Sequence, residues 1–463
     1  MPSTGPPELP DWLKDLRTKV SSSPQFKALS NQLYNEIRDA VRDQGLPSFS
    51  DLSDEEQRVV VARARETLRE TDEFAVARDA AWTTVDVALD AKAENWLSER
   101  QAFGRAAPTK VDALVELAGS GATQLLARWP EQSHRQLLWL LNADLPPPLR
   151  RALWRLKLSA PVARAEFERR REESRLAVIS LRDGTVMEHC QAVLQGAEPL
   201  LLSQLPLMRA ALSYIDALVP LEEAPPSSAG ATLAAALSAK ERPSQDETEG
   251  KAPPPLECYW ALPLLRVFDD HPPEAELVER MVALVAAPKP TLEVEPSAAV
   301  VAAGGARPDA AAGLLQGSDE EPPRCEALLA EADAPLAEAL SGVVGDIGGF
   351  ASPLLQRLCV GLLSPAATSY AWDLCLLGGW QQLQPLFAAV LLALKDGLLG
   401  CGTEEAVAAY LLQEGPRVSV ASLQSLMERH FMPAIREALG GVPAALGDEG
   451  LQLWTAPRMA VGN

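Results

Sequence analysis

Leu145-Pro-Pro-Pro-Leu149-Arg150-Arg-Ala-Leu153-Trp154 and, more than two hundred residues further on, Ser364-Pro-Ala-Ala-Thr-Ser-Tyr370-Ala-Trp372-Asp373-Leu-Cys-Leu-Leu-Gly-Gly379 are the two stretches whose reading decides the fold. In the first, the run Pro146 to Pro148 suits a helix start, because proline lacks an amide that the first turn would leave unpaired anyway. Leu153 and Trp154 are then expected to pack inward, with Arg150 able to reach a carboxylate elsewhere. In the second, Pro365 opens a segment whose apolar residues flank Trp372-Asp373. The apolar run Leu354 to Leu363 before it reads as a helix. Phe387 to Leu399 after it is apolar around most of its circumference and reads as a central core helix.

Helical periodicity continues toward the amino terminus. Phe26, Leu29, Leu33, Ile37 and Val41 recur at spacings of three and four, predicting a helix that ends at Gly45. Ser53 with Glu56 reads as a capping box opening a helix to about Leu68, and a further amphipathic stretch spans Ala75 to Trp96. Signals for strands are nearly missing, so the expectation is an all-α protein. Residues 1–105 form an N-terminal helical region, 106–440 a larger helical domain, and 441–463 a tail. Two tracts, about 222–255 and 287–323, are rich in Pro, Ala, Gly, Ser or charge and poor in branched and aromatic residues, so they are expected to be disordered insertions. Between them, Cys258-Tyr259-Trp260 begins another helix.

Composition narrows the partners. Hydrophobic residues make up 47% of the 463 and charged residues 23%, and the formal charge is −21. Such an excess of carboxylates repels phosphate backbones and anionic bilayers, so nucleic acid is not an expected partner and proteins are. The six cysteines form no C-x-x-C pair and the four histidines do not cluster with them, so neither a metal site nor a cofactor is expected. No basic head precedes an apolar stretch at Met1, and the longest apolar run, Pro385 to Leu394, is about half the ~20 residues of a spanning helix. The expectation is a cytoplasmic chain with reduced thiols and no integral membrane segment.

The order and setting of Pro146, Leu149, Arg150 and Trp154, then Trp260, then Pro365 and Trp372-Asp373, resemble a TBC domain, the helical fold that activates GTP hydrolysis by Rab-type small GTPases. The resemblance covers roughly residues 120 to 440. It implies a multi-helical fold in which Pro146, Leu149, Arg150, Trp154, Trp260, Trp372 and Asp373 define the framework. It also implies two catalytic fingers, an arginine from isoleucine–x–x–aspartate–x–x–arginine and a glutamine from tyrosine–x–glutamine-glycine. The nearest frame for the first, from Ile179, puts Arg182 at the aspartate and Thr185 at the arginine. For the second, Gln195-Gly196 lacks the tyrosine. An arginine finger contributes about 10³–10⁵ in rate, so a chain without one is expected to have no catalytic residue of its own.

Arg182, three positions from the expected finger, is the single substitute candidate for catalysis, with Gln191, Gln195 and Gln204 as companions; a solvated helix face is the plainer reading of all four. Gly119-Ser-Gly121-Ala-Thr123 lacks the lysine of a phosphate loop. The leading expectation is a non-catalytic TBC-like scaffold that binds proteins, a Rab-type GTPase among them. Members of the family without fingers recur among trafficking and ciliary adaptors, which extends the expectation to a cilium- or cytoskeleton-associated assembly. Two alternatives stand beside it: an active Rab GTPase-activating protein with displaced fingers, and a helical structural protein unrelated to GTPases.

Overall fold

A computed structural model describes residues 9–43, 48–69, 71–102, 110–128, 137–219, 221, 231–241, 254–268, 272–289 and 324–439. Among them every regular element is helical, so the fold is all-α. The chain divides into two compact units, residues 1–129 and 130–463.

The first unit contains α1 (Asp11–Ser22), α2 (Pro24–Asp43), α3 (Asp54–Arg69), α4 (Asp72–Ala102) and α5 (Lys110–Arg128). Leu9, Leu13 and Leu16 pack with Trp12, Val20, Val85 and Ala88, joining α1 to α4. Val41, Leu52 and Val60 form a second small cluster with Ile37, Ala40 and Phe49 between α2 and α3. The capping box forms: Glu56 Oε2 accepts from Ser53 N at 2.9 Å while Ser53 Oγ accepts from Glu56 N at 3.4 Å. Helix α5, expected in the second region, belongs to the first instead. It lies along α4, and Gly121 is a close approach where an added Cβ would sit 3.0 Å from the Trp12 ring. The boundary therefore falls at 129/130 rather than 105/106. The glycine-rich stretch 119–123 is part of this helix and forms no loop.

In the second unit, α6 (Pro147–Lys157), α7 (Pro161–Glu173), α8 (Asp183–Ala197) and α9 (Leu205–Leu218) are followed by α10 (Ala231–Glu241), α11 (Leu256–Val267) and α12 (Glu274–Ala286). Then come α13 (Cys325–Ala332), α14 (Ala334–Val344), α15 (Ile347–Gln356), α16 (Pro365–Gly378) and α17 (Leu383–Ala393). A short α18 (Lys395–Leu398) leads to α19 (Glu404–Glu414), α20 (Val420–His430) and α21 (Met432–Ala438). Helices α7, α8, α9, α11 and α12 form one group and α13, α15, α17 and α20 another; α10 packs on α8, α15 and α19, and α11 packs also on α6 and α16, which pack on each other. Every residue of α17 from Leu383 to Leu391 is buried, as is α16 from Ala367 to its end.

Three expectations need correction. The apolar helix anticipated over 354–363 stops at Gln356, and the chain turns through left-handed backbone at Leu358 (φ 54°), Cys359 (φ 63°) and Gly361 (φ 88°). Such geometry costs on the order of 1–3 kcal/mol per non-glycine residue. It is offset by complete burial of Leu358 and Cys359, and it lets the Leu358 carbonyl accept from Trp372 Nε1 at 3.1 Å. The core helix expected to run to Leu399 breaks at Leu394, and Gly397 then lies under the Tyr410 ring, where no Cβ would fit. The third concerns the tract 222–255. Its segment 231–241 is helix α10, whose Leu233 and Leu237, one turn apart, are buried against α15 and α19. Alanine content that contributed to the expectation of disorder is also high helix propensity. Most of the two tracts, and the tail 441–463, lie outside the described residues.

Candidate functional site

Pro146 sits at the N-cap of α6 with Pro147 in its first turn, as the missing amides allow. This aims Leu149, Leu153 and Trp154 inward; Leu153 and Trp154 are fully buried. On α16, Trp372 and Asp373 are buried too. The two motifs meet. Asp373 Oδ2 accepts from Arg150 Nε at 2.7 Å and Asp373 Oδ1 from Trp154 Nε1 at 2.7 Å. Arg150 also donates to Asp144 Oδ1 at 2.9 Å, and the Trp154 and Trp372 rings stack at 5.3 Å. Trp380 meets the edge of Trp372, and Trp260 Nε1 donates to the Gln356 carbonyl at 2.8 Å. Burial pushes Asp373 up to about 7, against the pull of the Arg150 charge and the hydrogen bonds from Trp154 and Arg150.

Around this clasp lies a polar network that the sequence did not single out. Asn142, in left-handed backbone (φ 70°), accepts from the buried Tyr370 hydroxyl through its side-chain oxygen. Its amide donates to Glu428 Oε2 at 3.0 Å and to the Gln424 carbonyl at 3.2 Å, while Gln424 returns a bond to the Asn142 carbonyl at 2.8 Å. Arg436 holds Glu428 at 2.8 Å. The available signal was an asparagine just before a proline run, since asparagine tolerates left-handed backbone. A second tie joins α12 to the α6–α7 junction: Arg280 donates to the carbonyls of Arg155 and Leu158, and Glu279 accepts from Ala160 N and Ser159 Oγ. The buried Lys289 donates to the Leu284 and Ala287 carbonyls, with its ammonium 4.6 Å from the centre of the Trp260 ring.

Arg182 belongs to a different cluster, at the N-cap of α8. Its guanidinium pairs with both oxygens of the buried Asp216 and donates to the Leu221 carbonyl at 3.1 Å. Ser180 Oγ donates to Asp216 and accepts from Arg182 N; Ser213 Oγ accepts from Ser180 N at 2.9 Å. Burial works to raise Asp216, but the bonds from Arg182, Ser180 and Leu221 N outweigh it and hold this carboxyl below its usual range. The guanidinium of Arg182 is thus committed to a carboxylate within the fold. Thr185, at the position of the expected finger, is exposed and uncharged; Gln191 and Gln195 lie on the exposed face of α8, and Gln204 is buried.

Chemically, these arrangements hold helices together. Arg150 is 12% exposed, which leaves little of it for a ligand. Burial raises the thiols of Cys325, Cys359 and Cys375, so the reactive thiolate is disfavoured at each. Among the described residues no group of three or more His, Cys, Asp or Glu could hold a metal ion, and no helix is long and apolar enough to cross a membrane. Family models, characterised proteins and solved structures provide no match to this chain.

Proposed function

We propose that this chain is a non-catalytic, TBC-like scaffold for protein–protein interaction, with a Rab-type small GTPase among its partners. The supporting observation is the clasp between Arg150, Trp154, Trp372 and Asp373, which ties two motifs 219 residues apart into one buried cluster, as their shared origin in such a domain would require. Against catalysis stands the pairing of Arg182 with both oxygens of the buried Asp216, which extending this arginine toward a nucleotide would break. A cilium- or trafficking-associated location extends the proposal by family resemblance alone.

Single-turnover GTP hydrolysis across a panel of Rab-type GTPases tests it. The expected outcome is no acceleration by the chain, together with retention of at least one GTP-loaded GTPase on the immobilised protein. Acceleration of about a hundredfold or more, abolished by Arg182→Ala, would replace the scaffold with an activator. Failure to retain any GTPase would favour a helical structural protein instead.

A further inference from the structure

The exposed apolar surface of the second unit is concentrated. Of its eight exposed large apolar side chains among the described residues, seven lie between Val162 and Leu202, and Leu399 is the other. Six of the seven bracket α8. Leu176, Ile179 and Leu181 precede it, Met187 lies on its second turn, and Leu200 and Leu202 follow it. Leu181 is 107% exposed and Leu200 93%. The leading loop is not slack: Ser174 Oγ accepts from Leu176 N, and the Ser180, Arg182 and Asp216 cluster fixes its other end. A rigid loop that holds leucines in water is a surface prepared for a partner.

The charge pattern narrows the partner. The outer face of α8 presents Gly184, Thr185, Gln191, Ala192 and Gln195, with Glu188 as its one exposed ionisable side chain. At the ends of the helix, Arg182 is paired with Asp216, Asp183 with Arg209, and Glu198 with Arg266. On a chain of net charge −21 this face is close to neutral. It offers nothing to steer a strongly charged ligand, and it is a surface on which two copies of an acidic protein can meet without like charges in contact.

The two most exposed leucines also lie at nearly equal distances along the chain from the middle of α8. Leu181 and Leu200 flank a helix of 15 residues, hence about 22 Å long, with Gln191 near its middle. Two such helices packed antiparallel about a two-fold axis bring the Leu181 end of each over the Leu200 end of the other, the self-complementary geometry of an isologous contact. Eighteen exposed residues lie between Ser174 and Ser203. That approaches the roughly 20–30 residues per side of a standard interface.

We propose that α8 and its flanking loops form a two-fold antiparallel interface between two copies of this chain. The inference stands apart from the scaffold reading and survives its failure. Sedimentation velocity on the full chain over roughly 1–100 µM should show a dimer. Leu181→Asp combined with Leu200→Asp should weaken it by at least about a hundredfold, with far-UV circular dichroism unchanged because both side chains are solvent-exposed. Gln191→Cys should form an interchain disulfide on exchange with oxidised glutathione, which leaves as two reduced thiols. A chain that stays monomeric throughout that range overturns the proposal. So does a dimer indifferent to the double substitution, or a monomer whose face around Leu181 is instead required to bind a GTPase or another protein.

Discussion

The two units are both helical, yet they are held together by different forces. Among described residues the first unit buries twelve apolar side chains, four of them alanines and none aromatic. Phe26, Tyr34 and Trp82 of that unit are left 41%, 69% and 51% exposed. The second unit buries Trp154, Trp260, Trp372 and Trp380, all but encloses α16 and α17, and ties remote helices by buried polar bonds. Helices of the first unit therefore depend more on local terms such as caps, and those of the second on burial and on long-range partners. Helical content alone does not distinguish the two; what the apolar face meets does.

The largest expected effect lies at the clasp. Asp373→Ala leaves Arg150 and the Trp154 indole N–H without their buried acceptor and should cost about 3–5 kcal/mol, measured as the urea midpoint of the full chain followed by tryptophan fluorescence. Asp373→Asn addresses the charge separately. With the folded-state value lifted to about 7 from the ordinary 3.8, the unfolded chain releases this proton near pH 4 while the folded chain keeps it until near pH 7. Its contribution to stability therefore falls as pH rises through that window. Glu276, Asp216 and Glu428, held low by their hydrogen-bond donors, tilt the other way, but parent and variant share them. The stability of the parent minus that of Asp373→Asn should decline from pH 4 to pH 7. A difference that stays level between pH 5 and pH 7 would mean that Arg150 outweighs burial and keeps the carboxylate ionised throughout.

A matched pair of truncations compares the units directly. Leu386→Ala removes a side chain with no exposed surface from the middle of α17 and should cost about 3–5 kcal/mol. Leu13→Ala removes one at the edge of a cluster of three leucines, 8% exposed, where neighbours can close in, and should cost only about 2 kcal/mol. Hydrogen exchange resolved by residue is the appropriate readout, since protection should extend deeper in α17 than in α1. Equal costs would erase the distinction drawn between the units.

How much of this was legible depended on the range of the interaction. Ser53 with Glu56 is a local signal and formed as read. Arg150 was expected to seek a remote carboxylate, but nothing in sequence spacing specified Asp373, because a bond across 223 positions is set by the whole fold. Leu233 and Leu237 were hidden by their alanine-rich surroundings; two leucines one turn apart suffice once α15 and α19 supply a surface. The turn at Leu358 and Cys359 was illegible for a different reason. Apolar residues carry no turn chemistry, and left-handed backbone there is imposed by burial and by the indole N–H of Trp372. Arg182 was found as a charge near a motif, whereas Asp216, thirty-four positions on, decides what that charge does.

The smallest effect tests the claim that local terms matter in the first unit. Ser53→Ala removes the hydroxyl that accepts from Glu56 N and donates to Glu56 Oε2, and so opens the box that starts α3. Replacing an N-cap serine typically costs about 1 kcal/mol. Ser364→Ala makes the same change at α16, where the hydroxyl accepts from Ala367 N at 3.3 Å. In the first unit the loss should appear as faster exchange across the opening turns of α3, because among the described residues its buried apolar anchors are Val60, Ala64 and Leu68, all beyond the first turn. At α16 the same deletion should change exchange only at the first turn, because burial from Ala367 onward fixes the helix independently of its cap. Fraying that spreads as far along α16 as along α3 would show that the cap, and not the core, determines where both helices begin.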